Sequence, residues 1–103
     1  MAYALENALF QWREGERRAR EAPELDAAVD ALVDELRRRL GSSFVLRELA
    51  DAYAAGTDWA EDLAVRRGAG ADAAHVVDAA FGRYAREASD YAGGRARHGG
   101  GRA

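Results

Sequence analysis

Apolar residues recur along most of this chain at intervals of three and four positions, which is the spacing of one face of an α-helix. The first stripe predicts a helix over residues 3–21. It consists of Leu5, Leu9 and Trp12. After Trp12 the helix turns polar, with glutamates and arginines four residues apart, as expected of a solvated segment. Gly15 interrupts that segment, where it favours either fraying or a close contact with another helix.

The second stripe is the most regular one, and its ends carry clear signals. Pro23 suits the first turn of a helix, and Gly41 suits the position just after a helix end. Acidic residues near the start and the arginines of 37–39 near the end both match the helix dipole, which favours a structural role for that basic run over phosphate binding. A helix is therefore predicted over residues 23–40. Its apolar face consists of Leu25, Val29, Leu32, Leu36 and Leu40.

Residues 42–67 are predicted to form two short amphipathic helices that meet at a turn containing Gly56. Glycine favours the left-handed conformation that ends many helices, and the residues after it, Thr57 or Asp58, can cap the next helix. Two short helices joined by such a turn have the form of a helix-turn-helix, whose second helix would enter the major groove of DNA. The sequence thus predicts a central helix-turn-helix-like pair.

A glycine-rich loop over residues 68–72 separates this pair from a last helix, predicted over residues 72–92. The loop lacks the preceding strand and following lysine of a nucleotide-binding loop. The apolar face of the last helix consists of Val76, Val77, Ala80, Phe81, Tyr84, Ala88 and Tyr91. Glycine, alanine and arginine dominate residues 93–103, so this segment has too little apolar surface for a core and is predicted to be a disordered Gly/Arg-rich tail.

Together these elements predict an all-α protein, a small single-domain bundle of four to five helices over residues 1–92 followed by the tail. The length of 103 residues and the 49% hydrophobic content suffice for one modest core. There are no cysteines, which excludes disulfides and thiolate metal sites. No apolar run approaches the roughly 18 residues that a membrane span requires, so no membrane association is expected and the default location is the cytoplasm.

Charge weighs against nucleic acid as the partner of the folded body. The tail carries three arginines and no acid, whereas the whole chain has a net charge of −3, so residues 1–92 are acidic. The second helix of the central pair would begin with several carboxylates, which repel a phosphate backbone. Nucleic-acid binding through segment 43–67 or the basic tail is therefore the alternative function. The tail residues that would contact phosphate or bases are Arg95, Arg97 and Arg102.

Catalytic chemistry has no clear candidate residues. His75 stands three residues from both Asp72 and Asp78, but no second histidine follows at metal-binding spacing. Ser89 lacks a histidine base at a plausible distance along the chain. We therefore expect no enzyme activity, no metal and no cofactor.

Large aromatic residues are numerous for so small a core, and they carry the functional hypothesis. Trp, Tyr and Arg dominate the energetically important positions of protein interfaces. The sequence thus favours a non-enzymatic interaction or regulatory module that presents a helical face to a protein partner or to a second copy of itself. The candidate partner-binding residues are Trp12, Trp59, Tyr84 and Tyr91.

Overall fold

The computed structural model describes the backbone of residues 2–41 and 46–102 and the side chains of residues 5–41 and 47–87. Within these ranges the chain forms α-helices and short 3₁₀ turns and no strand, so the predicted all-α bundle is confirmed. The four helices of the described backbone are α1 (Ala2–Glu21), α2 (Asp26–Leu40), α3 (Leu46–Arg66) and α4 (Ala73–Arg102).

The first two helices follow the predicted boundaries closely. Pro23–Leu25 forms a 3₁₀ turn that leads directly into α2, consistent with proline at a helix start. Gly41 ends α2 with a positive φ of 80°, and its N–H donates to the carbonyl of Arg37. Glycine adopts this backbone conformation without the Cβ clash that other residues meet, which is why the stripe stops there.

The predicted turn at Gly56 is wrong, because α3 runs unbroken from Leu46 to Arg66. Gly56 keeps a negative φ and lies buried inside the helix. The indole of Trp59, one turn later, lies over it: a Cβ built on Gly56 would stand 2.4 Å from the indole Nε1. Side chains on a helix lean towards the N-terminus, so a glycine three positions earlier makes room for a large ring. Gly56 therefore accommodates Trp59 and does not end a helix.

The loop between α3 and α4 agrees with the prediction. Gly68 and Gly70 take positive φ values of 98° and 57°, and Gly70–Asp72 forms a 3₁₀ turn before α4. Helix α4 then continues to Arg102, so its backbone includes residues 93–102, for which the sequence predicts disorder. The side chains of that segment lie outside those described, and the domain boundary at residue 93 stays a prediction.

Helix α4 is the centre of the bundle and contacts each of the other three helices. Its residues Val76, Val77 and Phe81 are essentially inaccessible to solvent. Phe81 stacks against Trp12 of α1 with ring centroids 5.9 Å apart, and Tyr53 of α3 meets both rings edge-on. Aromatic pairs at these distances contribute beyond the area that they bury, so this cluster joins three helices at one point.

Helices α1 and α4 approach each other most closely at Gly15. A Cβ built on Gly15 would stand 2.3 Å from the Asp78 Cβ and 2.7 Å from the Ala79 backbone nitrogen. Across the same contact, a Cβ on Gly82 would stand 3.0 Å from the Trp12 Cβ. Of the two alternatives for Gly15, the close helix contact is therefore correct.

Ion pairs at the surface link the helices around this core. Arg37 of α2 donates to both carboxylate oxygens of Glu87 on α4, at 2.8 and 2.9 Å. Arg86 of α4 pairs with both carboxylate oxygens of Glu16 on α1. Arg37 and Glu87 are both about half exposed, so their pair contributes at most about 1 kcal/mol. In the second pair Arg86 is exposed, whereas the Glu16 side chain is only 12% exposed. Among the described helices, none is long and apolar enough to cross a membrane.

Replacing Leu36 by alanine should lower the free energy of unfolding by about 2–5 kcal/mol, because Leu36 is fully buried and its removal leaves a cavity. Leu40 is the control in the same helix, since it is only partly buried and its truncation should cost clearly less. Urea unfolding followed by circular dichroism measures both. Equal losses at the two positions would contradict the assigned core.

Replacing Gly15 by alanine should destabilise the protein by about 1–3 kcal/mol, although alanine is the better helix former by about 1 kcal/mol. The reason is that the new methyl group would overlap the Asp78 Cβ and the Ala79 backbone, which are not flexible side-chain ends. Thermal unfolding measures the change. Gln11→Ala, on the exposed side of the same helix, should be neutral or slightly stabilising. A Gly15→Ala variant as stable as wild type would show that α1 and α4 are further apart.

Candidate interaction surface

Two of the predicted partner-binding aromatics belong to the core. Trp12 and Tyr84 are only 1% and 2% exposed. Trp12 is enclosed by Tyr53 and Phe81, and the Tyr84 hydroxyl donates to the carbonyl of Gly41. Neither ring is available to a partner, which corrects the interpretation of both as surface anchors. The side chain of Tyr91 lies outside those described, and its role stays a prediction.

Among the predicted partner-binding residues whose side chains are described, Trp59 is the one that remains partly accessible to solvent. One side of its indole lies over Gly56, and the guanidinium of Arg39 lies 3.9 Å from the ring centroid. Arg39 also donates to Glu35, and the neighbouring Arg37 and Arg38 pair with carboxylates as well. The basic run at the end of α2 thus holds α2 against α3 and α4, in agreement with a structural role. Trp59 itself is largely committed to packing within the chain.

The most exposed large apolar side chain among the described residues lies on α1, where the sequence stripe does not predict it. Phe10 is 56% exposed, and Val65 on α3 follows at 52%. Phe10 lies on the side of α1 opposite the core, because it falls outside the spacing of Leu5, Leu9 and Trp12. That mismatch is visible in the sequence, since a large aromatic residue stands where the helical spacing otherwise places charged residues.

Phe10 belongs to a continuous exposed stripe that we call the outer face of α1. Its members recur at intervals of four and three residues, so they line one side of the helix. All of them are exposed. They are Glu6, Phe10, Arg13, Arg17 and Arg20.

A small cavity of about 210 Å³ opens beside this face, between α1 and α4. The absence of a side chain at Gly82 helps to create it, and Arg13 stands at its margin together with the Glu16–Arg86 ion pair. The cavity is smaller than the roughly 300–1,000 Å³ of typical small-molecule sites. It is larger than a cavity of about 150 Å³ that is known to bind benzene, so one phenyl-sized group fits. Its lining residues are Leu9, Trp12, Arg13, Glu16, Gly82, Ala85 and Arg86.

A second group of polar side chains lies at the α3–α4 contact. The Tyr53 hydroxyl donates to the Asp78 carboxylate at 2.7 Å. Burial raises the pKa of the Asp78 carboxyl above its usual value, although the hydrogen bond from Tyr53 and the charge of His75 oppose that shift. Burial also raises the pKa of the Tyr53 hydroxyl. Both groups therefore hold their protons more firmly in the folded state, as a half-buried structural pair would.

His75 and its acidic neighbours do not assemble into a metal site in the described side chains. The His75 Nδ1 lies 3.6 Å from Asp72, and Arg18 of α1 occupies the same Asp72 oxygen at 3.2 Å. Asp78 is engaged by Tyr53. Within the described part of the chain, no group of three histidine or carboxylate ligands could hold a metal ion.

Nucleic-acid binding, the alternative function, was predicted to use either segment 43–67 or the basic tail. Because α3 is continuous, segment 43–67 does not form a helix-turn-helix over its described residues, and no separate recognition helix follows Gly56. The tail residues Arg95, Arg97 and Arg102 lie outside the described side chains.

Comparison with known proteins identifies no relative: no protein family, curated protein or solved structure matches this chain.

Replacing Asp78 by asparagine should make stability less dependent on pH. Folding raises the pKa of Asp78. The contribution of its protonated carboxyl group to the stability of the folded state is therefore fully present below the unfolded carboxyl pKa near 3.8, and it is lost as pH rises through the folded pKa. Asparagine has the same shape, can accept the Tyr53 hydrogen bond and carries no charge. The variant should therefore gain stability relative to wild type between pH 4 and pH 7. Thermal melts of both proteins at several pH values test this. A variant whose stability relative to wild type falls as pH rises would contradict the prediction.

Proposed function

We propose that this protein is a non-enzymatic interaction module that binds a helical protein segment through the outer face of α1. The observation that carries the proposal is the position of Phe10. It combines the highest exposure of any large apolar residue among those described with a place on the same helix face as Arg13, which lines a cavity of the size of one aromatic side chain.

The apolar contribution of such a contact is appreciable for a small surface. Full burial of a phenylalanine contributes roughly 1.5–3 kcal/mol, and about half of that remains to be gained at Phe10. A side chain of the partner entering the cavity would add a comparable amount. Aromatic residues and arginine are enriched at protein interfaces, and the outer face of α1 exposes both.

The arginines of the outer face of α1 make it positively charged, and their chemistry determines which partners suit it. Arg13, which lines the cavity, and Arg20 are exposed, and Arg17 already pairs with Glu14 and Glu21. Guanidinium groups stack on aromatic rings and bind carboxylates through two hydrogen bonds. A helix with an exposed aromatic residue and at least one carboxylate therefore suits this surface.

Binding of nucleic acid through the C-terminal tail is the alternative function. The proposed interaction surface does not include the tail, so the two functions predict different behaviour. Location in the cytoplasm and a regulatory role remain expectations from the sequence.

Replacing Phe10 by the photoreactive amino acid benzoylphenylalanine should give discrete cross-linked products in a lysate of the native cells, because a partner on the outer face would cover this position. Mass spectrometry of the linked peptide should identify a helical segment with carboxylates. Adding Arg13→Glu to the photoreactive chain should reduce the product several-fold, because the charge at the cavity margin is reversed.

The same amino acid at Val65 is the matched control, since Val65 is almost equally exposed but lies on α3. Equal products from both positions, or products unaffected by Arg13→Glu, would contradict the proposed surface. Products that disappear after nuclease treatment, or after deletion of residues 95–103, would favour the nucleic-acid alternative.

A further inference from the structure

The outer face of α1 has a charge pattern that is complementary to itself. Glu6 stands near the N-terminal end of the face, whereas Arg17 and Arg20 stand near its C-terminal end. When two copies of a helix pack in opposite directions, the start of one lies beside the end of the other. Glu6 of each copy would then lie beside arginine of the other, and the two Glu6 side chains, like the two Arg17 side chains, would lie at opposite ends of the contact.

From this pattern we infer that the partner bound by the outer face is a second copy of this chain, packed antiparallel through α1 about a two-fold axis. The inference depends on the proposed function and specifies its partner. Two-fold contacts are the commonest in homo-oligomers and require a surface that complements itself.

One register satisfies all members of the central part of the face. With the two-fold axis passing midway between Gln11 and Trp12, residue 6 lies opposite residue 17, and residue 10 lies opposite residue 13. Glu6 of each copy then meets Arg17 of the other copy, and Phe10 of each meets Arg13 of the other. The alternating spacing of four and three residues averages 3.5, the period that keeps two packed helices in contact along their length.

The cavity fits the same register. Arg13 stands at its margin, so the Phe10 ring of the second copy would arrive at the cavity opening. The volume of about 210 Å³ accommodates a phenyl ring, and the Arg13 guanidinium can stack on that ring once it has entered. By symmetry the contact forms twice, which covers the exposed aromatic residue in both copies.

The same geometry limits the strength of the dimer. Helix α1 has 20 residues and is therefore about 30 Å long, so two such helices bury a small interface, in the range of transient complexes. In addition, Glu14 and Glu21 compete for Arg17 within each chain. We expect association that depends on concentration and weakens as salt is added.

Sedimentation equilibrium of the full chain, at concentrations from about 10 μM to 1 mM, should show a monomer–dimer equilibrium of this weak class. Phe10→Ala should weaken the dimer at least tenfold, whereas Val65→Ala, the matched control on α3, should leave it unchanged. A chain that stays monomeric at every concentration would overturn the inference. So would a dimer that Phe10→Ala leaves intact, or one that Val65→Ala weakens equally.

Charge reversal tests the register. Glu6→Arg and Arg17→Glu should each weaken the homodimer at least tenfold, because each places like charges opposite one another. A mixture of the two single variants should associate again, since every pair across the heterodimer is then attractive, and the double variant should also regain its homodimer. Recovery in the mixture cannot arise from misfolding, and circular dichroism confirms that each variant is folded. A mixture that associates no better than its components would overturn the antiparallel register.

The outcome separates this inference from the proposed function. If the purified chain is monomeric while the photoreactive residue 10 still links to a segment of another protein, the outer face binds a different partner and only the self-association is wrong. If position 10 gives no specific product and the chain is monomeric, both are wrong.

Discussion

Helices α1 and α4 pack almost backbone to backbone where residue 15 of α1 is glycine. Because Gly15 has no side chain, the backbone of α4 at Ala79 can lie directly against α1. This approach brings Trp12 within stacking distance of Phe81 and lets Tyr53 of α3 reach both rings. A wider separation of the two helices would leave the aromatic cluster with a gap, and packed interiors tolerate such gaps poorly.

The burial of α4 over most of residues 73–87, where its side chains are described, explains where polar groups lie. Asp78 faces α1 and α3 at the crowded contact, so its carboxylate is half-buried and needs the Tyr53 hydroxyl as a partner. The charged residues further along α4, such as Arg86 and Glu87, reach the surface and pair with α1 and α2. The inward-facing aromatics pack against one another, and among the described side chains of α1 the exposed ring is that of Phe10.

The functional proposal thus rests on residues other than those that the aromatic content indicates. An excess of aromatic residues is expected both of a well-packed small core and of an interface, and the sequence alone does not distinguish the two. In the bundle, Trp12 and Tyr84 belong to the core, Trp59 packs between Gly56 and Arg39, and Phe10 faces solvent. The distinction depends on which helix faces meet.

The spacing of apolar residues was enough to predict the helical class, and Pro23 and Gly41 were enough to predict the limits of the first two helices. The loop between α3 and α4 could be predicted from its glycines. These signals act through the conformation of neighbouring backbone residues and need no tertiary contact. The sequence by itself did not determine the role of glycine inside a helix. Gly56 has the same local signal as a helix end, yet it serves to make room for Trp59, and Gly15 makes room for another helix. The role of Gly15 depends on Asp78 and Ala79, more than 60 positions along the chain, and that of Gly56 depends on how the ring of Trp59 packs. The burial of Trp12, the exposure of Phe10 and the cavity beside Arg13 likewise depend on tertiary packing, since each results from which side of α1 lies against α4.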